Sequence, residues 1–271
     1  MKGRLASLAS LVGLCLVASI ACGGGGGGGT PTTPTTPPPA GIPGGACGVL
    51  GSTASSSVDI LNGTDCPSGA SAVVLLNMRD SFNSPVGACS GTVISPRAIL
   101  TAAHCVPGNV RFVRMFLGSG PEVVAESFAA HPDYRGGSTA DVAVVIMTDP
   151  IGRTPIPLLL SRDARISESA VIAGWGRNQL DIPATLRAGV TTISAAGTLL
   201  ETQFSASVSS VCSGDSGGPI LLSEGGVWSV GGVTSATSAN VCNTGTNFYV
   251  AIRPSTISSF ITSRVPDAIQ R

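Results

Sequence analysis

The segment Gly214–Pro219, with the sequence GDSGGP, carries the clearest chemical signal in the chain. A serine between glycines can sit on a tight turn that exposes its hydroxyl and leaves neighbouring backbone N–H groups uncovered. A nucleophile and its oxyanion hole need those two features. Taken alone, the segment is also explained by a glycine-rich turn with a surface serine.

The same segment fits G-x-S-x-G, the nucleophile elbow of the α/β-hydrolases. Those enzymes place the catalytic histidine after the serine in the chain. This chain has two histidines, His104 and His131, and both precede Ser216. The order of the residues therefore argues against an α/β-hydrolase.

Two other residues supply the partners that a nucleophilic serine needs. His104 follows an apolar segment within TAAHC, and Asp141 opens the apolar run DVAVVIM. A catalytic histidine needs a carboxylate to hold its tautomer and stabilise its imidazolium. An aspartate that leads into a buried strand needs a polar partner to offset its desolvation. The order His104, Asp141, Ser216 favours a catalytic triad over an isolated turn aspartate.

With these motifs the chain resembles the trypsin/chymotrypsin-like serine proteases over about residues 60–264. The segments that carry the resemblance are CSGTVIS from Cys89, TAAHC ending at Cys105, ADVAVV around Asp141, GWG at 174–176 and CSGDSGGP at 212–219. The resemblance implies an all-β fold of two six-stranded antiparallel β-barrels, with the active site between them.

The resemblance also implies a role for each residue of the site. Ser216 is the nucleophile that forms an acyl-enzyme, His104 is the general base and then acid, and Asp141 orients His104. The N–H groups of Gly214 and Ser216 form the oxyanion hole. We therefore expect a serine endopeptidase that acts on proteins or peptides as a monomer and needs no cofactor. A catalytically silent, tethered binding protein on the same fold and a simple esterase are the alternatives.

The primary specificity pocket can be placed by the same resemblance. Ser210 stands at its base, so no carboxylate is present there to attract Arg or Lys. Thr237 and Asn247 align with wall positions where chymotrypsin and trypsin have glycines, and Ser235 aligns beside them. Side chains at the walls shorten the pocket. An elastase-like preference for small or modest apolar residues follows.

Ile60 resembles the amino terminus that activation frees in this family, where the new ammonium pairs with the aspartate before the nucleophile, here Asp215. The preceding residue is Asp59 rather than Arg or Lys, so a trypsin-like activator is not expected to recognise the junction. A different activating protease is therefore a predicted partner, and residues 47–59 form a propeptide-like segment.

Cysteine usage indicates an exported protein. Cys15 lies in the leader, which leaves six cysteines besides Cys22. Six cysteines allow fifteen connectivities, and their clustering favours the local pairs Cys47–Cys66, Cys89–Cys105 and Cys212–Cys242. With two histidines and no CxxC pair, a metal site is not expected.

The amino terminus is predicted to direct export. Lys2 and Arg4 precede an apolar run that ends before Cys22, so residues 1–21 are typical of a signal peptide. Cys22 resembles the lipidated cysteine of bacterial lipoproteins, and cleavage by an ordinary signal peptidase is the alternative. Residues 22–46, rich in Gly, Thr and Pro, form a linker. We expect a bacterial cell-envelope lipoprotein or an extracellular protein, with membrane contact only through a lipid at Cys22.

Composition and hydropathy agree with this assignment. Only 11% of the 271 residues are charged, and 15 basic residues balance 15 acidic ones, which argues against a nucleic-acid partner. Short apolar runs separated by turn residues predict strands at 72–76, 91–94, 110–117, 142–147, 170–173, 227–233 and 248–252. Residues 255–265 show helical spacing and predict a short helix near the carboxyl terminus, with 265–271 as a tail. His131 lies in a predicted surface turn and is expected to be structural.

Overall fold

The structure is a computed structural model that describes residues 45–51, 63–177, 185–205, 208–239, 242 and 244–271. All of these residues belong to one unit, Pro39–Arg271. The predicted signal peptide, nearly all of the linker with Cys22, and the activation residue Ile60 lie outside the described residues. In the ranges that are described, no helix is long and apolar enough to cross a membrane.

The described chain is built from antiparallel strands, with one short helix near each end. The strands are β1 (Thr64–Asp65), β2 (Val73–Arg79), β3 (Pro85–Ser95), β4 (Ala98–Thr101), β5 (Phe112–Phe116), β6 (Val123–Val124), β7 (Ser127–Ala130), β8 (Ala143–Ile146), β9 (Ser169–Gly174), β10 (Arg187–Ala196), β11 (Leu199–Gln203), β12 (Pro219–Glu224), β13 (Val227–Thr237) and β14 (Thr246–Ala251). The helices are α1 (Gly45–Val49) and α2 (Ser255–Arg264).

The second half of the chain closes into a six-stranded barrel. Its strands follow the order β9-β10-β11-β14-β13-β12, and β12 pairs again with β9. The short strand β1 pairs with the start of β10, on the side opposite β9. The strands pack around aliphatic side chains such as Ile172, Ile220 and Leu222. This barrel holds the predicted nucleophile in the loop before β12.

The first half forms a half-barrel with the strand order β6-β5-β2-β3-β4-β8-β7. Its two edge strands are consecutive pieces of one segment, 123–130, separated by Ala125 and Glu126. Ala125 donates its N–H to Val113 O beside β6, whereas Glu126 donates to Ile146 O beside β7. The all-β, chymotrypsin-like class is therefore confirmed. The expected pair of antiparallel barrels is thus seen as a closed six-stranded barrel and a half-barrel, and this bent segment connects the two edges of the half-barrel.

Three disulfides join the predicted cysteine pairs, Cys47–Cys66, Cys89–Cys105 and Cys212–Cys242. The first attaches α1 to the residue just after β1, and Leu50 just beyond α1 is also buried in the core. Leu50 O accepts a hydrogen bond from Ala72 N–H at 3.2 Å. The described part of the propeptide-like segment, residues 47–51, is therefore held against the end of β1 and the residue before β2.

The predicted carboxyl-terminal helix is confirmed as α2. Ile257, Phe260 and Ile261 are its buried side chains, and they occupy one face at helical spacing. The ring of His131 lies 4.8 Å from the Phe260 ring, so α2 packs against the loop between β7 and β8 of the half-barrel. The helix thus connects the end of the chain to the half-barrel that carries His104.

Candidate active site

His104 and Asp141 form the best-defined polar contact of the site. Asp141 Oδ2 lies 2.7 Å from His104 Nδ1, and Asp141 Oδ1 accepts the backbone N–H of His104 at 2.8 Å. His104 belongs to a short 3-10 turn after β4, and Asp141 stands just before β8, which pairs with β4. Because Nδ1 faces the carboxylate, it carries the ring proton, and Nε2 is left as the basic nitrogen.

Ser235 completes the hydrogen bonding of the Asp141 carboxylate. Its hydroxyl donates to Asp141 Oδ2 at 2.6 Å and lies 3.0 Å from the Ser138 hydroxyl. Asp141 is only 1% exposed, whereas the His104 side chain is 32% exposed. Three donors thus compensate the buried carboxylate and fix the imidazole at the edge of the solvent. Ser235, predicted at the substrate pocket, here contacts the aspartate.

The turn that carries Ser216 is held against the half-barrel by Ser90 of β3. Ser90 N–H donates to Ser216 O at 2.8 Å, and Ser90 Oγ donates to Gly214 O at 2.9 Å. The same hydroxyl accepts the N–H of Trp175 at 2.8 Å. One buried serine from the first half of the fold therefore fixes the peptide groups on both sides of the nucleophile position.

Ser216 lies next to the His104 turn, although the two side chains are not yet hydrogen-bonded. Ser216 O is 3.9 Å from Cys105 Sγ, and a Cβ placed on Gly217 would meet Thr101 Oγ1 at 2.1 Å. In the part of the chain that is described, no hydrogen bond joins the Ser216 hydroxyl to the His104 ring. In enzymes without substrate such a bond is often long and shortens only when the substrate binds.

Gly214 and Ser216 are the two residues whose backbone N–H groups were predicted to form the oxyanion hole. Gly214 has φ +97°, a left-handed conformation that glycine adopts without strain. A Cβ there would also lie 3.0 Å from the Cα of Gly176. Among the described residues, neither of these two N–H groups has a hydrogen-bond partner. Both are therefore free to donate to a developing oxyanion.

Asp215, between these two residues, points inward and is 2% exposed. Its carboxylate accepts the N–H of Gly176 at Oδ1 and of Cys212 at Oδ2, both at 2.8 Å. Burial raises the pKa of Asp215 to about 6, and these two hydrogen bonds together with the charge of Arg187 oppose that rise. The residue before the nucleophile is thus a buried acid stabilised by backbone donors.

Two of the predicted pocket residues, Ser210 and Asn247, belong to a buried chain of polar side chains. Asn247 is 1% exposed, and its Nδ2 donates to Ser210 Oγ and to Thr202 Oγ1, each at 3.1 Å. Thr202 Oγ1 lies 3.2 Å from the hydroxyl of Tyr249. Ser210 and Asn247 are therefore brought together, whereas Thr237 is exposed and donates its hydroxyl to Ala239 O at 2.7 Å.

His131 has a different environment from His104. Its Nδ1 accepts the N–H of Asp133 at 3.1 Å, so Nε2 carries the proton and donates to Thr256 O at 3.1 Å. Both ring nitrogens are occupied by backbone groups, in keeping with the structural interpretation. Donor atoms of Cys89, His104 and Cys105 lie within 4.8 Å of one another, but the two cysteines are joined in a disulfide and offer no thiolate to a metal.

Comparison with known proteins places this arrangement in a family. Residues 60–261 match the model of the Trypsin family. The chain belongs to the trypsin family. Such a relationship supports a peptidase, a hydrolase that acts on protein or peptide substrates, and the three disulfides of this trypsin-family chain indicate an exported protein.

Three curated relatives illustrate the relationship. Kallikrein-15 from Saguinus oedipus is 31% identical over 212 residues, which cover 64% of this chain and 80% of the relative. Chymotrypsin-like elastase family member 1 from Bos taurus is 27% identical over 209 residues, covering 65% and 78%. Trypsin from Saccharopolyspora erythraea is 32% identical over 99 residues, covering 32% and 44%. Two of the three are animal proteins, so a bacterial origin stays a prediction.

A solved structure agrees with the fold. The structure of HL collagenase superimposes with a TM-score of 0.65 at 22% sequence identity, and the match covers 76% of this chain and 98% of the other. At that identity the similarity supports the fold alone. Within this trypsin-family fold, sequence reasoning missed Ser90 and Arg187, since a serine after a cysteine and an arginine at a strand start are common in other contexts.

Proposed function

We propose that the chain is a serine endopeptidase in which Ser216 attacks the peptide carbonyl and forms an acyl-enzyme. The observation that carries the proposal is the contact between His104 and Asp141, with Nε2 left as the basic nitrogen beside the Ser216 turn. Nε2 accepts the serine proton as the hydroxyl attacks, and the imidazolium then returns it to the leaving amine. Water repeats the sequence and releases the acyl product.

The oxyanion of each tetrahedral intermediate is assigned to the N–H groups of Gly214 and Ser216. Ser90 supports this role, because its hydrogen bonds to the carbonyls of the same two residues set the orientation of the peptide groups. A single oxyanion donor contributes about 3 to 4 kcal/mol to lowering the barrier in related chemistry. His104, Asp141 and the two donors require no cofactor.

For specificity we propose cleavage after small or modest apolar residues. Support comes from the Asn247 side chain, which is buried and hydrogen-bonded to Ser210 rather than open to a long substrate side chain. No carboxylate stands at either position to bind Arg or Lys. A panel of peptides that differ only before the scissile bond tests this, and a strong preference for Arg or Phe would overturn it.

We further propose the domain organisation predicted from the sequence, with a signal peptide at 1–21, a linker at 22–46, a propeptide-like segment at 47–59 and the protease domain at 60–264. Lipidation of Cys22 and pairing of a freed Ile60 ammonium with Asp215 belong to the same proposal. The burial of Asp215 beneath the Ser216 turn supports a role for its charge in forming the site.

The test of the catalytic proposal is labelling with a fluorophosphonate, which reacts rapidly only with an activated serine. The intact protein should gain the mass of one probe, located by peptide mapping at Ser216, and the Ser216→Ala variant should gain none. A folded protein that is unlabelled in both cleaved and uncleaved forms would instead support the silent binding protein.

A further inference from the structure

Arg187 and Asp215 are charged side chains buried in the same region of the second barrel. Arg187 is 3% exposed and Asp215 is 2% exposed. Isolated buried charges are costly, so such groups are retained only with compensating partners. Asp141, the other carboxylate that is buried among the described residues, is compensated by His104 and Ser235.

One glycine joins the two charges. Arg187 Nη1 donates to Gly176 O at 2.9 Å, and Gly176 N–H donates to Asp215 Oδ1 at 2.8 Å. A Cβ placed on Gly176 would lie 2.5 Å from Asp215 Cγ, so the carboxyl group is pressed against this backbone. The guanidinium therefore fixes the peptide segment that holds Asp215.

Arg187 itself is fixed by its position at the start of β10. It pairs in register with Gly174 of β9 on one side and with Asp65 of β1 on the other. Its Nε donates to Asp65 Oδ1 at 3.0 Å. The buried guanidinium of Arg187 is thus paired with the partly exposed carboxylate of Asp65. It is connected to the buried carboxylate of Asp215 through the Gly176 peptide group.

The electrostatic effect of this arrangement reaches the nucleophile turn. The charge of Arg187 lowers the pKa of Asp215 against the rise caused by burial, so the guanidinium favours the ionised carboxylate. Tyr249, whose pKa is raised mainly by burial and also by the charge of Asp215, is the other titratable group beside it. The ionised carboxylate is the better acceptor for the N–H groups of Gly176 and Cys212, which fix the turn from 212 to 216.

We propose that Arg187 is a positioning residue, which keeps Asp215 ionised and the Ser216 turn assembled in the uncleaved chain. The protease then acts without a new amino terminus at Ile60, because Arg187, through the Gly176 peptide, and the N–H groups of Gly176 and Cys212 already compensate the charge of Asp215. This inference rests on the proposed function of Ser216 as the nucleophile, and it makes the proposed pairing of a freed Ile60 ammonium with Asp215 unnecessary for activity.

The first experiment compares uncleaved and cleaved full chains during fluorophosphonate labelling, with intact mass under reducing conditions reporting cleavage and labelling together. We expect the probe on the uncleaved mass at a rate within about tenfold of the cleaved form. Probe confined to the mass that begins at Ile60 would overturn the inference and leave the proposed function standing. Absence of label from both folded forms would instead reject the proposed function.

The second experiment separates positioning from simple support of the fold. In the uncleaved chain, Arg187→Met should slow labelling by about fivefold at pH 6, because a rise of one unit in the pKa of Asp215 from about 6 lowers its ionised fraction from about one half to about one eleventh. Arg187→Lys should recover most of the rate. Asp65→Asn should leave the rate unchanged or raise it, because it removes the competing carboxylate and leaves the cation to Asp215.

The control is Arg162→Met, since Arg162 is also largely buried and pairs with Glu168 and Glu224 away from the site. It should not change the labelling rate. Equal losses in Arg187→Met and Asp65→Asn would show that the ion pair only holds β1 to β10 and would overturn the inference. If Arg187→Met does not fold, Arg187→Lys and Asp65→Asn decide the question, because rates near that of the unaltered chain in both support the inference and slowing in both contradicts it.

Discussion

At the scale of single residues, Ser235 donates a hydrogen bond to the Asp141 carboxylate, in addition to the two that His104 supplies. We expect Ser235→Ala to reduce the fluorophosphonate labelling rate by about tenfold, because a hydrogen bond to a charged group contributes about 1.5 to 3 kcal/mol. The matched control is Ser229→Ala, since Ser229 is fully buried on the same strand and its hydroxyl has no hydrogen-bond partner among the described residues. Equal rates in the two variants would contradict the prediction.

The pKa of Asp215 has a consequence for the pH dependence of stability. The pKa in the folded state, about 6, lies above the ordinary value of 3.8. The native state therefore holds the proton more tightly, and the contribution of this group to stability is largest below pH 4 and is lost as the pH rises through 6. A shift of about two units corresponds to roughly 3 kcal/mol.

This pH dependence is measured as a difference between two proteins. Urea unfolding of Ser216→Ala and of Ser216→Ala/Asp215→Asn is measured from pH 4 to pH 7. The Ser216→Ala substitution prevents self-digestion, and the difference between the two proteins cancels the contributions of the titratable groups that they share. Relative to the asparagine variant, the aspartate protein should lose about 3 kcal/mol of unfolding free energy over that range. A constant difference would show that the pKa of Asp215 is not raised.

At the scale of elements, the Cys89–Cys105 disulfide connects β3 to the turn that carries His104. It closes a loop of 16 residues, for which the chain-entropy estimate of stabilisation is about 3 kcal/mol. Replacing both cysteines by serine should lower the unfolding free energy by about that amount and also slow labelling, because the His104 turn loses its anchor.

The control for this element is the Cys47→Ser/Cys66→Ser variant. The disulfide that it removes closes a loop of similar length, 19 residues, outside the site. The variant should cost comparable stability, measured by urea unfolding, and leave the labelling rate of the folded protein nearly unchanged. Equal slowing in both variants would mean that labelling follows overall stability rather than the position of His104.

Sequence reasoning found several strands whose apolar residues are continuous, although it did not predict β12, whose residues 220–222 are also apolar, and it missed the mixed strand β10. The runs at 142–147 and 170–173 became β8 and β9, because strands buried on both faces are apolar throughout. Strand β10 was missed, since Arg187, Gly189 and its threonines give no apolar run. Its partner β1 is distant in sequence, with Asp65 and Arg187 separated by 122 residues, and only the closed barrel shows why the two strands pair.

The site follows the same rule. The positions of His104, Asp141 and Ser216 were predicted from short motifs, whereas Ser90 and Arg187 act through backbone groups that no motif identifies. Ser90 contacts Gly214 O across 124 residues of chain, and Arg187 reaches Gly176 O through the pairing of β10 with β9. Side chains that bind peptide carbonyls are determined by the fold, so they can be named only after the fold is known.

At the scale of the whole molecule, the amino-terminal segment should stay attached after cleavage at Ile60. The Cys47–Cys66 disulfide spans that position, and Leu50 is buried in the core. If Cys22 carries a lipid, an active protease then remains at the membrane whether or not it is cleaved. Cleaved protein should therefore keep both chains in a denaturing gel until a reductant is added, and its activity should sediment with membranes.

Two variants separate the covalent connection from the anchor. Cys22→Ser should release activity to the soluble fraction before cleavage, whereas Cys47→Ser/Cys66→Ser should retain it until cleavage and then lose it as the buried Leu50 contact dissociates. A protease domain that separates from residues 47–59 without reductant in the unaltered protein would contradict the attachment. If the unaltered protein already shows soluble activity and Cys22→Ser does not change it, the lipid anchor is rejected. The disulfide connection is not affected by that result, because the two depend on different cysteines.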